Sequence, residues 1–111
     1  TVARLLRLSL HRVGIGVETT DDAEQALRRL DEVHPSVLVI DDAAGEGWEL
    51  IRSVRSLPGR AHLPALLLTA GEDRTGWFGR MRRPKAETMP MPFDEFQLQR
   101  TVSRLAGRPL T

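Results

Sequence analysis

The stretch PSVLVIDD, residues 35–42, decides how the rest of the chain is read. Val37, Leu38, Val39 and Ile40 run together with no polar residue between them. A strand with one wet face alternates apolar and polar residues. A short unbroken apolar run is the pattern of a strand covered on both faces, as in a parallel sheet. Two acids, Asp41 and Asp42, close the run. In open parallel sheets the functional groups gather beyond the carboxyl ends of the strands, and both acids fall there.

Working outward, Val2, Leu5, Leu6, Leu10 and Val13 recur at helical spacing with Arg4, Arg7 and Arg12 between them, which predicts an amphipathic helix over 2–13 stopped by Gly14. IGVET, 15–19, reads as a short strand. A second helix is expected from Asp21, with Glu24 at the capping-box spacing, an apolar face of Ala23, Ala26, Leu27, Leu30 and Val33, and an end at His34-Pro35. A third follows over about 47–57, turning Leu50, Ile51, Val54 and Leu57 inward before the Pro58-Gly59 turn. PALLLTA, 64–70, is a second buried strand. Trp77, Phe78 and Met81 give 72–85 a brief helical face that Gly76, Gly79 and Pro84 weaken. AETMPMPF, 86–93, reads as an edge strand, because Pro90 and Pro92 would each remove a ladder donor from a central one. Asp94 caps a last helix with Gln97 at the capping-box position, Phe93 and Leu98 are spaced as a staple, and Val102 and Leu105 face inward. Strands that alternate with helices imply an α/β fold with a doubly wound parallel sheet and right-handed crossovers.

The bulk numbers narrow the function. A chain of 111 residues, 41% hydrophobic, makes one compact domain, expected over 1–111. It begins at Thr1 without a methionine, so it is expected to be part of a longer chain. No run approaches a membrane span, no signal-peptide pattern opens the sequence, and the absence of cysteine rules out disulfides and thiolate metal sites; a cytoplasmic location is expected. A net charge of +1 gives no general pull toward nucleic acid or membrane. His11, His34 and His62 lack ligand spacing and read as surface residues. GEG, 45–47, is a turn without the rest of a nucleotide fingerprint. With no nucleophile elbow or triad in the chain, an enzyme is not expected.

Taken in order, these segments resemble the receiver domain of two-component response regulators over nearly the whole chain. RLLRLSLHRVG (4–14) is similar to that family's first helix, ETTDDAEQALRRL (18–30) to its second strand and helix, and PSVLVID (35–41) to its third strand. GWELIRSVRS (47–56), LPALLLTA (63–70) and MPFDEFQLQRTVSRL (91–105) resemble the third helix, the fourth strand, and the Lys-Pro-Phe segment with the final helix. The resemblance implies a flavodoxin-like receiver fold whose first, central strand is missing from this sequence. It makes Asp41 the phosphoacceptor equivalent and Thr69 the hydroxyl that contacts the phosphoryl group. It also puts Met91 where the family has its lysine. Asp41 would bind Mg²⁺ only together with an acidic pair lying upstream of Thr1, so no cofactor is expected unless phosphorylation is retained. Asp42 reads as a solvated loop acid. Thr88 stands where an aromatic switch residue is common, and the loop after Asp41 is shorter than the family's and lacks its proline.

The thioether of Met91 carries no charge for a phosphate. Losing a contact to a charged partner costs roughly 1.5–3 kcal/mol, which is on the order of tenfold to a hundredfold in rate if the contact acts in the transition state. The expectation is a divergent receiver, a pseudo-receiver, serving as a protein-interaction module of signal transduction with aspartyl phosphorylation impaired or lost. A functional, Mg²⁺-dependent, phosphoryl-accepting receiver at Asp41 is the first alternative. The expected partners are proteins: an output domain, a histidine kinase, or a second copy met through the fourth helix, fifth strand and fifth helix. Trp77, Arg82, Arg83 and Thr88 are the candidate contacts. The basic cluster RMRRPK, 80–85, raises a second alternative, a nucleic-acid-binding module, though no recognition helix is visible and nucleic acid is not the expected partner.

Overall fold

The computed structural model describes residues 1–42, 47–70 and 86–107. The expected helical face at 72–85, and with it Trp77, Arg82, Arg83 and the 80–85 cluster, lies outside the described residues. The chain divides into two compact units, Ser36–Phe93 and a second made of Thr1–Pro35 with Asp94–Thr111. The elements in chain order are α1 (Val2–His11), α2 (Ala23–Arg29), β1 (Leu38–Asp41), α3 (Gly47–Arg55), β2 (Ala65–Ala70), β3 (Ala86–Met91) and α4 (Glu95–Leu105).

The Ser36–Phe93 unit holds the sheet. Its three strands lie in the order β1-β2-β3, all parallel. Leu38 pairs with Ala65 and Asp41 with Leu68; Leu67 pairs with Thr88 and Ala70 with Met91. The apolar runs read from the sequence are these strands. Ile51 of α3 packs with Ile40, Ala65 and Leu67 on one face, and Leu38, Trp48 and Leu50 lean against this cluster. Leu66 and Leu68 point to the other face and are equally inaccessible, so β2 is covered on both sides, as a central parallel strand should be. Residues Leu38 and Val39 of β1 are only half-buried, a looser burial than their unbroken pattern predicts. β3 pairs with β2 alone among the described residues, which suits Pro90: an edge strand loses nothing by a missing outward donor. The Met91-Pro92 peptide is cis.

In the other unit, Thr1 caps α1 by accepting from the Arg4 amide at 3.3 Å, and Asp94 caps α4 by accepting from the Gln97 amide at 2.9 Å, as its spacing predicted. Leu6, Leu10, Leu98 and Val102 form the buried faces of α1 and α4. Between these helices, the Glu95 carboxylate accepts from Ser9 Oγ at 3.2 Å and from Arg12 Nη1 at 2.9 Å, and Gln99 Nε2 donates to the Ser9 carbonyl at 2.8 Å. Gly14, at φ 79, takes the left-handed conformation that ends the α1 turn.

Two expectations are corrected here. The cap of α2 is Asp22, one residue later than predicted; it accepts from the Gln25 amide at 2.8 Å. Asp22-x-x-Gln25 satisfies the same capping pattern as Asp21-x-x-Glu24, so spacing alone could not separate the two frames. The helix also stops at Arg29 rather than running to Val33, with Leu30 buried at its end. The second correction is IGVET, 15–19, which is no strand. Val13, Ile15 and Val17 are half-buried and their neighbours exposed, the alternation of a strand, but no ladder forms along it. A strand exists through its pairing, and side-chain pattern cannot supply a partner edge.

Candidate functional site

The three strands end together. β1 finishes at Asp41, β2 at Ala70 and β3 at Met91, and their register sets Asp41 beside Leu68, Thr69 beside Pro90 and Met91 beside Ala70. The sheet therefore brings Asp41, Thr69 and Met91 to one carboxyl-end rim, as the resemblance requires. Asp41 is exposed, Thr69 buried at 5% exposure, and Met91 half-buried. The Thr69 hydroxyl donates to the Met89 carbonyl at 3.4 Å. Thr88 is half-buried on β3, opposite Leu67.

Asp42 behaves unlike its neighbour. It is 7% exposed, and is not the solvated loop acid that its sequence position predicts. Its amide donates to the Leu68 carbonyl at 2.8 Å, which extends the β1–β2 ladder by one bond. Its Oδ1 accepts from the Gly47 amide at 2.7 Å. Successive strand side chains point to opposite faces, so the outward Asp41 and the inward Asp42 are one geometric fact. A charge-assisted bond of this length is what keeps an acid tolerable in a buried place.

Gly47 is a second residue whose role the sequence did not disclose; it reads there as part of a turn. It is the first residue of α3. A Cβ on it would stand 2.6 Å from Leu67 Cδ2 and 2.9 Å from Asp42 Oδ1, so a side chain there would make one or both of these groups shift. The signal was present: an Asp ahead of a glycine that opens an amphipathic run is a helix-start pattern. It was masked by reading Asp42 as a solvated loop acid. Trp48 leans on the sheet core. His11, His34 and His62 are all exposed, as expected.

Mg²⁺ chemistry at such a rim needs converging oxygen ligands. Among the described residues no three His, Cys, Asp or Glu side chains converge to hold a metal ion, and Oδ1 of Asp42 is already engaged by Gly47. The described residues do not make a Mg²⁺ site by themselves. Among the described residues, the strand ends offer the exposed carboxylate of Asp41, the Thr69 hydroxyl turned to a backbone carbonyl, and the uncharged thioether of Met91. Among the described residues no helix is long and apolar enough to cross a membrane.

A parallel sheet with an exposed aspartate closing one strand and a hydroxyl near the end of the next fits the receiver-type α/β domain that the sequence resembles, and the solved structures it matches share that fold. The chain superposes on a protein described as a response regulator from Chloroflexus aurantiacus with a TM-score of 0.84 and 29% identity, covering 96% of this chain and 89% of that one. A response regulator receiver protein from Burkholderia phymatum matches with a TM-score of 0.76 and 25% identity over 98% of this chain and 89% of its own. In sequence, the chain is 31% identical over 108 residues to the transcriptional regulatory protein TrcR of Mycobacterium tuberculosis. That match takes in 96% of this chain but spans only 40% of TrcR. No protein-family model matches the chain. By fold and by sequence the chain is similar to the response-regulator receiver domains of two-component signalling.

Proposed function

We propose that this receiver is a pseudo-receiver: a protein-interaction module of signal transduction in which phosphorylation of Asp41 is impaired. The observation that carries the reading is Met91 at the end of β3, on the rim that Asp41 and Thr69 share. A phosphoryl group arriving at Asp41 brings negative charge, and stabilising it calls for preorganised cations or donors. Position 91 supplies neither. The Thr69 hydroxyl, already directed to the Met89 carbonyl, would have to turn away from it to serve a phosphate. The module acts on a protein partner, an output domain or a histidine kinase, and is itself no enzyme; its place of action is the cytoplasm.

The test is labelling of Asp41 by a small phosphodonor with Mg²⁺, followed by intact mass, in the wild-type chain and in Met91→Lys. The expected result is slow labelling of the wild type and a gain of roughly tenfold to a hundredfold in Met91→Lys, the rate equivalent of one contact to a charged group. Rapid, stoichiometric labelling of the wild type would overturn the proposal and make the domain a working phosphoryl-accepting receiver.

A further inference from the structure

We propose that Asp42 is a positioning residue, whose carboxylate pins the first turn of α3 to the tip of β1 and thereby fixes Asp41 in its outward orientation. The inference goes beyond the phosphorylation state of Asp41 and holds in either case.

Asp42 is anchored twice. Its backbone amide belongs to the sheet through the 2.8 Å bond to the Leu68 carbonyl. Its side chain belongs to the helix through the 2.7 Å bond from the Gly47 amide. Together these bonds prevent residue 42 from rotating about the strand axis. Because strand side chains alternate strictly, whatever holds residue 42 inward holds residue 41 outward. Gly47 completes the device. Glycine lets the α3 backbone come this near with both neighbours in place, since an added Cβ would press on Leu67 Cδ2 and the Asp42 carboxylate. The close packing of Gly47 on Leu67 and the carboxylate bond are therefore two contacts that act on the same turn of helix. The bond joins two residues five positions apart in the sequence. It also gives the paired acids separate tasks: Asp41 stands at the surface of the rim, and Asp42 is committed to architecture.

The experiment uses the 111-residue chain and needs no phosphate. Carboxylates are coupled to an amine with a water-soluble carbodiimide and located by fragmentation mass spectrometry, and amide exchange is followed by NMR. In the wild type, coupling is expected at Asp41 and not at Asp42; equal coupling at both would overturn the proposal. In Asp42→Ala, the amides of residues 42 and 47 are both expected to exchange faster, by roughly tenfold or more for the loss of a charge-assisted bond, while Leu66–Leu68 keep their protection. A change at residue 47 alone would reduce Asp42 to a helix cap and refute the positioning role. Asp42→Asn, whose amide oxygen still accepts, is expected to restore both amides; failure to do so refutes the carboxylate bond as the cause. Should Asp42→Ala not fold, Gly47→Ala tests the same point: its Cβ should force Asp42 into carbodiimide reach, and continued protection of Asp42 would refute the proposal.

Discussion

Two buried polar groups stand at the ends of neighbouring strands, and they are held very differently. At the tip of β1 the Asp42 carboxylate accepts a 2.7 Å bond from the Gly47 amide. At the tip of β2 the Thr69 hydroxyl reaches the Met89 carbonyl at 3.4 Å, beyond the usual range of about 2.5–3.0 Å for a hydroxyl–oxygen bond. Their burial is nearly equal, 7% and 5% exposure, so solvent does not explain the contrast. Charge does. An ionised carboxylate left unpaired inside a protein is heavily penalised, so the fold must build a donor to meet it. A neutral hydroxyl can be stored against a carbonyl with little loss. The β1 side of the rim is thus architecture, and the β2–β3 side is where a group can be redirected and where the uncharged Met91 matters.

The largest effect is expected where both sides share a foundation. Leu67 is fully buried, lies against Ile40, Ile51 and Ala65, and touches the space Gly47 keeps open. Leu67→Ala should destabilise the chain by about 2–5 kcal/mol, read from the denaturant midpoint at unchanged slope. A cost under about 1 kcal/mol would mean that the sheet core does not support the rim.

Asp42→Ala comes next. It leaves the Gly47 amide buried without its charged acceptor, and a loss of about 1.5–3 kcal/mol is expected. Asp42→Asn should recover a good part of this in thermal unfolding, because the bond survives without its charge assistance. If both variants matched the wild type, the contrast between the two strand tips would disappear.

These effects also show what was legible in the sequence. VLVI and LLLT declared buried strands because continuous apolar runs have few other uses, and β1 and β2 formed where they were read. IGVET declared a strand by alternation and made none. The pattern records which side faces inward, whereas a ladder depends on a neighbouring edge that no local pattern encodes. Asp41 and Thr69 were legible because both end such runs. Asp42 was not: whether an acid beside a strand tip is solvated or capped depends on how closely a helix start approaches, and only the missing Cβ of Gly47 hints at that approach. The one-residue error at Asp21 has the same root, since two overlapping capping frames differ only in what the following helix packs against.

Thr69→Val carries the smallest effect and the sharpest test of the comparison. Valine keeps the branched shape and removes only the hydroxyl, so the substitution isolates the 3.4 Å interaction. A neutral hydrogen bond in good geometry contributes about 0.5–1.5 kcal/mol, and this one is long. The Met89 carbonyl that loses it sits in a residue 3% exposed and paired with Leu68 in the sheet. The added methyl would enter a site already packed between β2 and β3, which offsets some of the loss by burying apolar surface. The net change should fall within about 1 kcal/mol of zero. A loss above that, measured by the same denaturant midpoint, would show that the hydroxyl is as structural as the Asp42 carboxylate. Thr69 would then be unable to turn toward any ligand at the rim without weakening the fold, and the division between a built side and a responsive side would fail.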